Sequence, residues 1–121
     1  MTIKLPQLYE GESNAGLVMV DGKPGYWLIL LPHVSPDLKW QDAIDWARSV
    51  GGELPTRFES ALLYANVRDQ IDTDYWYWTA TPDAGYDDCA LVQDIDYGDQ
   101  FAARKDEHFR ARAVRRVELK P

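Results

Sequence analysis

Between Tyr75 and Gln100 the chain gathers Tyr75, Tyr77, Tyr86, Asp87, Asp88, Gln93, Asp96, Tyr97, Asp99 and Gln100, a mixture suited to adhesion rather than to bond-breaking. Tyrosine offers a large contact area with little rotamer freedom to lose, and interleaved Asp and Gln add hydrogen bonds. These residue types leave a second reading open, in which about half of the tyrosines pack on neighbours across a sheet face.

The remaining reactive side chains point away from catalysis. Cys89 is the single cysteine. It stands next to the strand-like Ala90-Leu91-Val92, reads as a small buried hydrophobe, and permits neither an intrachain disulfide nor a cysteine-based zinc site. His33 and His108 are far apart and form no ligand-spaced pair. Asp87-Asp88 and Asp94/Asp96 are carboxylate pairs, yet a general acid needs a sheltered place and these fall in expected loops and strand ends. No Ser-His-Asp set, no phosphate loop after a strand and no His-Glu-x-x-His occurs. Asp83, Asp87, Asp88, Asp94, Asp96 and Asp99 carry oxygens of the kind calcium takes, but without EF-hand spacing or repeat. The expectation is a protein that is not an enzyme and uses no cofactor or catalytic metal.

The elements that must position these residues are legible in the spacing. Leu17 to Val20 and Tyr26 to Leu31 are apolar and β-prone around Asp21-Gly22-Lys23-Pro24-Gly25, which is a hairpin signal, with Pro32 closing the second strand. From about Lys39 to Val50, Trp40, Ala43, Ile44, Ala47 and Val50 recur at helical spacing, so Trp40 reads as a core anchor. Gly51-Gly52 can end that helix, and Thr56 with Glu59 has capping-box spacing, so a second helix is expected from Arg57 to about Asp69. Its core face is expected to carry Phe58, Ala61, Leu62, Ala65 and Tyr64. Strands follow over Tyr75 to Thr79, Cys89 to Ile95 and Phe101 to Ala103, with turns at Pro82 to Gly85 and Tyr97 to Asp99. The terminal strand, Phe109 to about Leu119, sets Phe109, Ala111 and Ala113 on one face and Arg110 and Arg112 on the other, and breaks its alternation at Val114 to Val117, where a bulge or strand end is expected. A hairpin, two helices and then a run of strands describe an α+β domain with antiparallel sheet, and 121 residues suit one such domain over 1–121.

The run Gly51-Gly52-Glu53-Leu54-Pro55-Thr56-Arg57-Phe58-Glu59, followed by Tyr77-Trp78-Thr79-Ala80-Thr81 and Arg110-Ala111-Arg112-Ala113-Val114-Arg115-Arg116, resembles the Lcl C-terminal-type domains of unknown function of bacteria and their phages. Such domains are similar to the C-type-lectin-like fold, which formylglycine-generating enzymes and phage tropism proteins share. The resemblance implies a compact domain whose two ends meet, setting Arg110, Arg112 or Arg115 against Glu10 or Glu12. It also implies that the segment from Tyr75 to Gln100 displays the ligand-contact surface. The family's catalytic branches rely on a cysteine pair or a histidine set that this chain lacks, and the Glu-Pro-Asn and Trp-Asn-Asp triplets of calcium-dependent lectins are missing too.

Charge supplies a rival reading. Net charge is −7, but residues 1–100 hold 6 Lys+Arg against 17 Asp+Glu, whereas residues 101–121 hold 7 against 3. This argues against direct nucleic-acid binding by most of the surface. The basic terminal strand can pair with acidic neighbours in the sheet, or the acidic remainder can face a basic partner. The leading expectation is therefore a non-enzymatic, phage- or prophage-type binding module for a protein or cell-surface ligand. The alternative is a small acidic intracellular inhibitor of a host defence or nucleic-acid-binding protein. No long apolar run and no apolar secretory core occurs, so no membrane insertion is expected and the host cytoplasm, or a phage particle assembled there, is the expected location. Chelation is expected to leave the melting temperature unchanged, and a drop restored by calcium would revive the aspartate cluster as a metal site.

Overall fold

Asp21 and Gly22 both take positive φ, 50° and 75°, which is what a two-residue hairpin turn needs to match the twist of its strands. They join β1 (Ser13–Val20) to β2 (Lys23–Val34); α1 (Trp40–Ser49), α2 (Arg57–Val67), β3 (Trp76–Pro82), β4 (Cys89–Asp94), β5 (Gln100–Arg104) and β6 (Arg112–Glu118) follow. The computed structural model describes residues 3–119. The strands form two antiparallel sheets, β1-β2-β6 and β3-β4-β5, so the α+β class holds. The hairpin turn is tighter than the five residues expected, and β2 runs through Pro32 to Val34. The second helix is shorter than expected, giving way to a 3-10 turn over Arg68–Gln70.

Two apolar clusters fill the interior. In one, Ala43 and Ala47 of α1 let the helix lie close to Leu31, Trp78, Val92, Ala111 and Ala113, with Trp40, Ile44, Trp46 and Val50 packed around them. Trp40 anchors this helix as its spacing implied, and its indole N–H donates to the Thr79 carbonyl at 2.9 Å. The other cluster joins Leu28, Leu30 and Val114 of the first sheet to Leu63 and Val67 of α2 and to Tyr77 and Ile95.

The nine residues from Gly51 to Glu59 form the junction between these clusters. Gly51 ends α1 at φ 87°, and a Cβ on Gly52 would come 2.7 Å from the Val114 carbonyl, so only glycine permits this approach. Glu53 and Val114 then exchange backbone hydrogen bonds, both 2.9 Å, and the Pro55 carbonyl accepts from Ala80 N–H at 2.7 Å. The capping box is present: the Thr56 hydroxyl accepts from Glu59 N–H at 3.2 Å, and Glu59 Oε1 accepts from Thr56 N–H at 2.9 Å.

Glu59 does more than cap. Its side chain is 2% exposed and also accepts both guanidinium donors of Arg116, at 2.7 and 2.8 Å, and the Tyr26 O–H at 2.5 Å. Burial alone pushes a carboxylate pKa up, but the bonds from Arg116, Tyr26 and the Thr56 amide, together with the charge of Arg116, hold Glu59 below its ordinary 4.5. The inward face of α2 is therefore Glu59, Ser60, Leu63 and Val67. The expected face is corrected accordingly: Phe58 is 77% exposed, Ala61 and Ala65 are exposed, and Leu62 and Tyr64 are partly buried. The ion pair turns the helix so that its charged capping residue faces inward.

The terminal strand also differs from its pattern. The register break lies opposite Val114 and Arg112, where β2 spends Leu30 to Val34, and Arg115 to Glu118 pair regularly. Arg112 is buried rather than part of a cationic face, and donates to the carbonyls of Leu31 at 2.8 Å and Gln70 at 2.9 Å, the first of which lies in the stretch of β2 that the irregularity takes out of register. Arg115 meets Glu12 with two bonds, 2.9 and 2.8 Å, and so closes one end of the chain on the other. Cys89 is half-buried rather than buried. Burial, then the neighbouring Asp88 charge, pushes its thiol pKa up, which suppresses thiolate chemistry.

Two stability differences follow. Removing Arg116 as Arg116→Met leaves a buried carboxylate without its cation and should cost about 3 kcal/mol, whereas Thr56→Ala should cost about 1 kcal/mol, both read by chemical denaturation. A carboxylate with depressed pKa gives stability that is present above pH 4.5 and lost as pH falls below it. The gap between the native protein and Arg116→Met should therefore narrow on acidification.

Candidate partner-binding surface

The expected contact residues occupy two separate places. β4 is six residues long, about 17 Å at the strand rise, and the loop bearing Tyr86, Asp87 and Asp88 precedes it while the turn bearing Asp96, Tyr97 and Asp99 follows it. They lie at opposite ends of that strand. Tyr86, Asp87 and Asp88 are exposed, and the Asp87 carbonyl accepts from Lys105 at 2.6 Å.

Tyr77 and Gln93 are buried, so the expectation that they lie on an exposed surface is corrected. The Tyr77 hydroxyl donates to the Asp72 carbonyl at 2.7 Å, and burial followed by the Asp72 charge pushes its pKa up to about 12. Tyr75 is half-buried, with the Arg110 guanidinium 3.7 Å from its ring centre.

Gln93 belongs instead to the support of the β4–β5 turn. Its amide donates to the carbonyls of Asp94 and Asp99, at 2.8 and 3.3 Å, and its carbonyl oxygen accepts from Gln100 at 2.7 Å. Gln100 also donates to the Arg57 carbonyl at the start of α2, at 2.6 Å. The buried Asp94 carboxylate accepts the N–H groups of Asp96 and Tyr97, at 3.0 and 3.1 Å, while Asp94 N–H donates to the Asp99 carbonyl at 2.8 Å. Gly98 sits at φ 80°, where a Cβ would come 2.6 Å from the Tyr64 ring, and Arg68 stacks on that same ring at 4.8 Å. The Gln93, Asp94 and Gln100 side chains at the base of the turn are thus engaged, and Tyr97 at its tip is 80% exposed between the exposed Asp96 and Asp99.

A side chain held out by a fixed backbone loses little further freedom when it docks, which favours contact. Tyr64 and Arg57, which complete this surface, escaped the sequence reading because they belong to α2. Asp94 was read only as a carboxylate, in a pair with Asp96 or as an oxygen donor to calcium; its place as the first residue of Asp94-Ile95-Asp96-Tyr97-Gly98, the pattern of an Asx turn, is the signal that would have found its role. Exposed Phe58 lies on the same helix. Among the described residues no three His, Cys, Asp or Glu side chains are grouped to hold a metal ion, and no helix is long and apolar enough to cross a membrane. No family model matches the chain, and no curated protein matches it.

Asp94→Ala should release two turn amides and cost about 1–2 kcal/mol, like the loss of a helix cap. Gly98→Ala should also destabilise, through positive φ and collision with Tyr64. Asp88→Ala should stay within about 0.5 kcal/mol. Urea titration of the three variants checks the ranking.

Proposed function

We propose that this protein is a non-enzymatic binding module of phage or prophage type that recognises a protein or cell-surface ligand through the β4–β5 turn, with Tyr97 as the anchor and Asp96, Asp99 and the neighbouring start of α2 as its rim. The observation that carries this reading is the turn itself. Two buried polar side chains, Gln93 and Asp94, are committed to fixing a turn whose outermost residue is an exposed tyrosine. Aromatic anchors at the centre of a contact usually supply most of its binding energy. The order of hairpin, two helices and late strands, and the Glu12–Arg115 closure of the two ends, agree with the C-type-lectin-like arrangement that the Gly51–Glu59 motif resembles. The polar groups around the turn serve one another, which suits a scaffold better than a reaction centre.

Immobilised protein should capture a component from bacterial lysate or from a cell-envelope preparation. Tyr97→Ala should abolish that capture and leave the melting temperature unchanged, whereas Tyr86→Ala should leave both unchanged. Retained capture by Tyr97→Ala would remove the turn from the site. An on-rate that falls steeply as salt rises would instead support an acidic inhibitor meeting a basic host protein.

A further inference from the structure

Glu59 and Arg112 are both buried charges, and the fold meets them in opposite ways. Glu59 has Arg116, whereas among the described residues no carboxylate forms an ion pair with Arg112. The Arg112 side chain uses Nη1 on the Gln70 carbonyl and Nη2 on the Leu31 carbonyl, and its buried Nε–H has no hydrogen-bond partner among the described residues. Burial, opposed by the neighbouring Tyr77 hydroxyl, pushes its pKa down. A buried donor is costly to leave unpaired, and native interiors satisfy nearly all of them, with ordered water where the protein supplies no acceptor.

That guanidinium borders a cavity of about 10 Å³ between α2, β3, β4 and β6, whose wall includes the buried Ser60, Leu63, Ile71, Tyr77 and Gln93. One water needs about 10–15 Å³ and roughly two to four polar partners. Arg112 supplies a donor. The Tyr77 O–H is already given to the Asp72 carbonyl, and the Gln93 amide to the carbonyls of Asp94 and Asp99, so these two side chains have only acceptor oxygens left to offer. The Ser60 hydroxyl can donate or accept. A water molecule, which both accepts and donates, matches that set of groups. A halide ion, which only accepts, finds one charged donor among acceptor oxygens.

We propose that this cavity is a binding site for a single water molecule, which accepts from the Arg112 Nε–H and donates to the Ser60 hydroxyl and to an acceptor oxygen of Tyr77 or Gln93. Such a water joins β6 to α2 at a second place, apart from the Glu59–Arg116 pair, and gives Arg112 a neutral partner where Glu59 has a charged one. It also lies against Gln93, whose amide supports the β4–β5 turn. The site does not depend on what that turn binds.

Water–protein NOESY and ROESY spectra of the full, methyl-labelled chain test this, because Leu63 and Ile71 line the cavity and their methyl groups carry no exchangeable protons. Dipolar cross peaks from these methyls to the water resonance are expected, with the sign of a molecule that tumbles with the protein. Arg112→Met removes the Nε–H but keeps the Ser60 and Tyr77 hydroxyls, and should lose the cross peaks. Ser60→Val fills the space and should expel the water even if Arg112→Met does not fold. Native protein without these cross peaks overturns the proposal, as do cross peaks that survive in either folded variant, which would trace to exchanging hydroxyl protons or to a water held elsewhere. A native melting temperature raised by chloride, with no water cross peak, would assign the cavity to an anion and likewise overturn it.

Discussion

Glu59 is a carboxylate sealed inside the domain, and satisfying it ties the start of α2 to two strands of the first sheet. Burying such a charge costs several kcal/mol unless a cation and hydrogen-bond donors meet it. Here the donors come from the Thr56 backbone, from Tyr26 on β2 and from Arg116 on β6. The start of α2 is thereby fixed to two strands of the first sheet at once. Arg116 is the partner whose side chain keeps access to water, at 33% exposure, so the arrangement buries one charge fully rather than two.

From that fixed helix the second sheet receives its orientation. The Arg57 carbonyl binds Gln100, and the Tyr64 ring receives Gly98, so the turn that displays Tyr97 rests on the same helix that Glu59 holds. The Gly51–Glu59 segment makes this possible at short range. Gly52 allows contact with Val114, Pro55 accepts from β3, and Thr56 starts the helix. A motif that reads as punctuation in the sequence acts in the structure as the joint between the two sheets.

What the residues disclosed and what they hid have physical causes. The first helical stripe was legible because Ala43 and Ala47 lie amid larger apolar residues that all face one way. In α2 the period showed which residues share a face but not which face is inward. Phe58, Ala61, Leu62 and Ala65 form a good apolar stripe, yet an ion pair with a residue 57 positions away decided the matter. Arg112 was hidden for the same reason, since alternation cannot foresee an irregularity in the neighbouring strand. The tyrosine and aspartate composition drew attention to the region after α2, but spacing could not separate Tyr77 and Gln93, which are buried, from the exposed Tyr97, nor reveal that β4 splits the exposed residues between its two ends.

The buried Gln93 and Asp94 side chains form a polar framework that holds the Tyr97 turn rigid in the free protein. Backbone ¹⁵N relaxation of the free protein measures this directly. Order parameters at Asp96, Tyr97 and Gly98 are expected near those of β4, about 0.85. Values below about 0.6 at these amides, with β4 itself rigid, would show a flexible loop and contradict it.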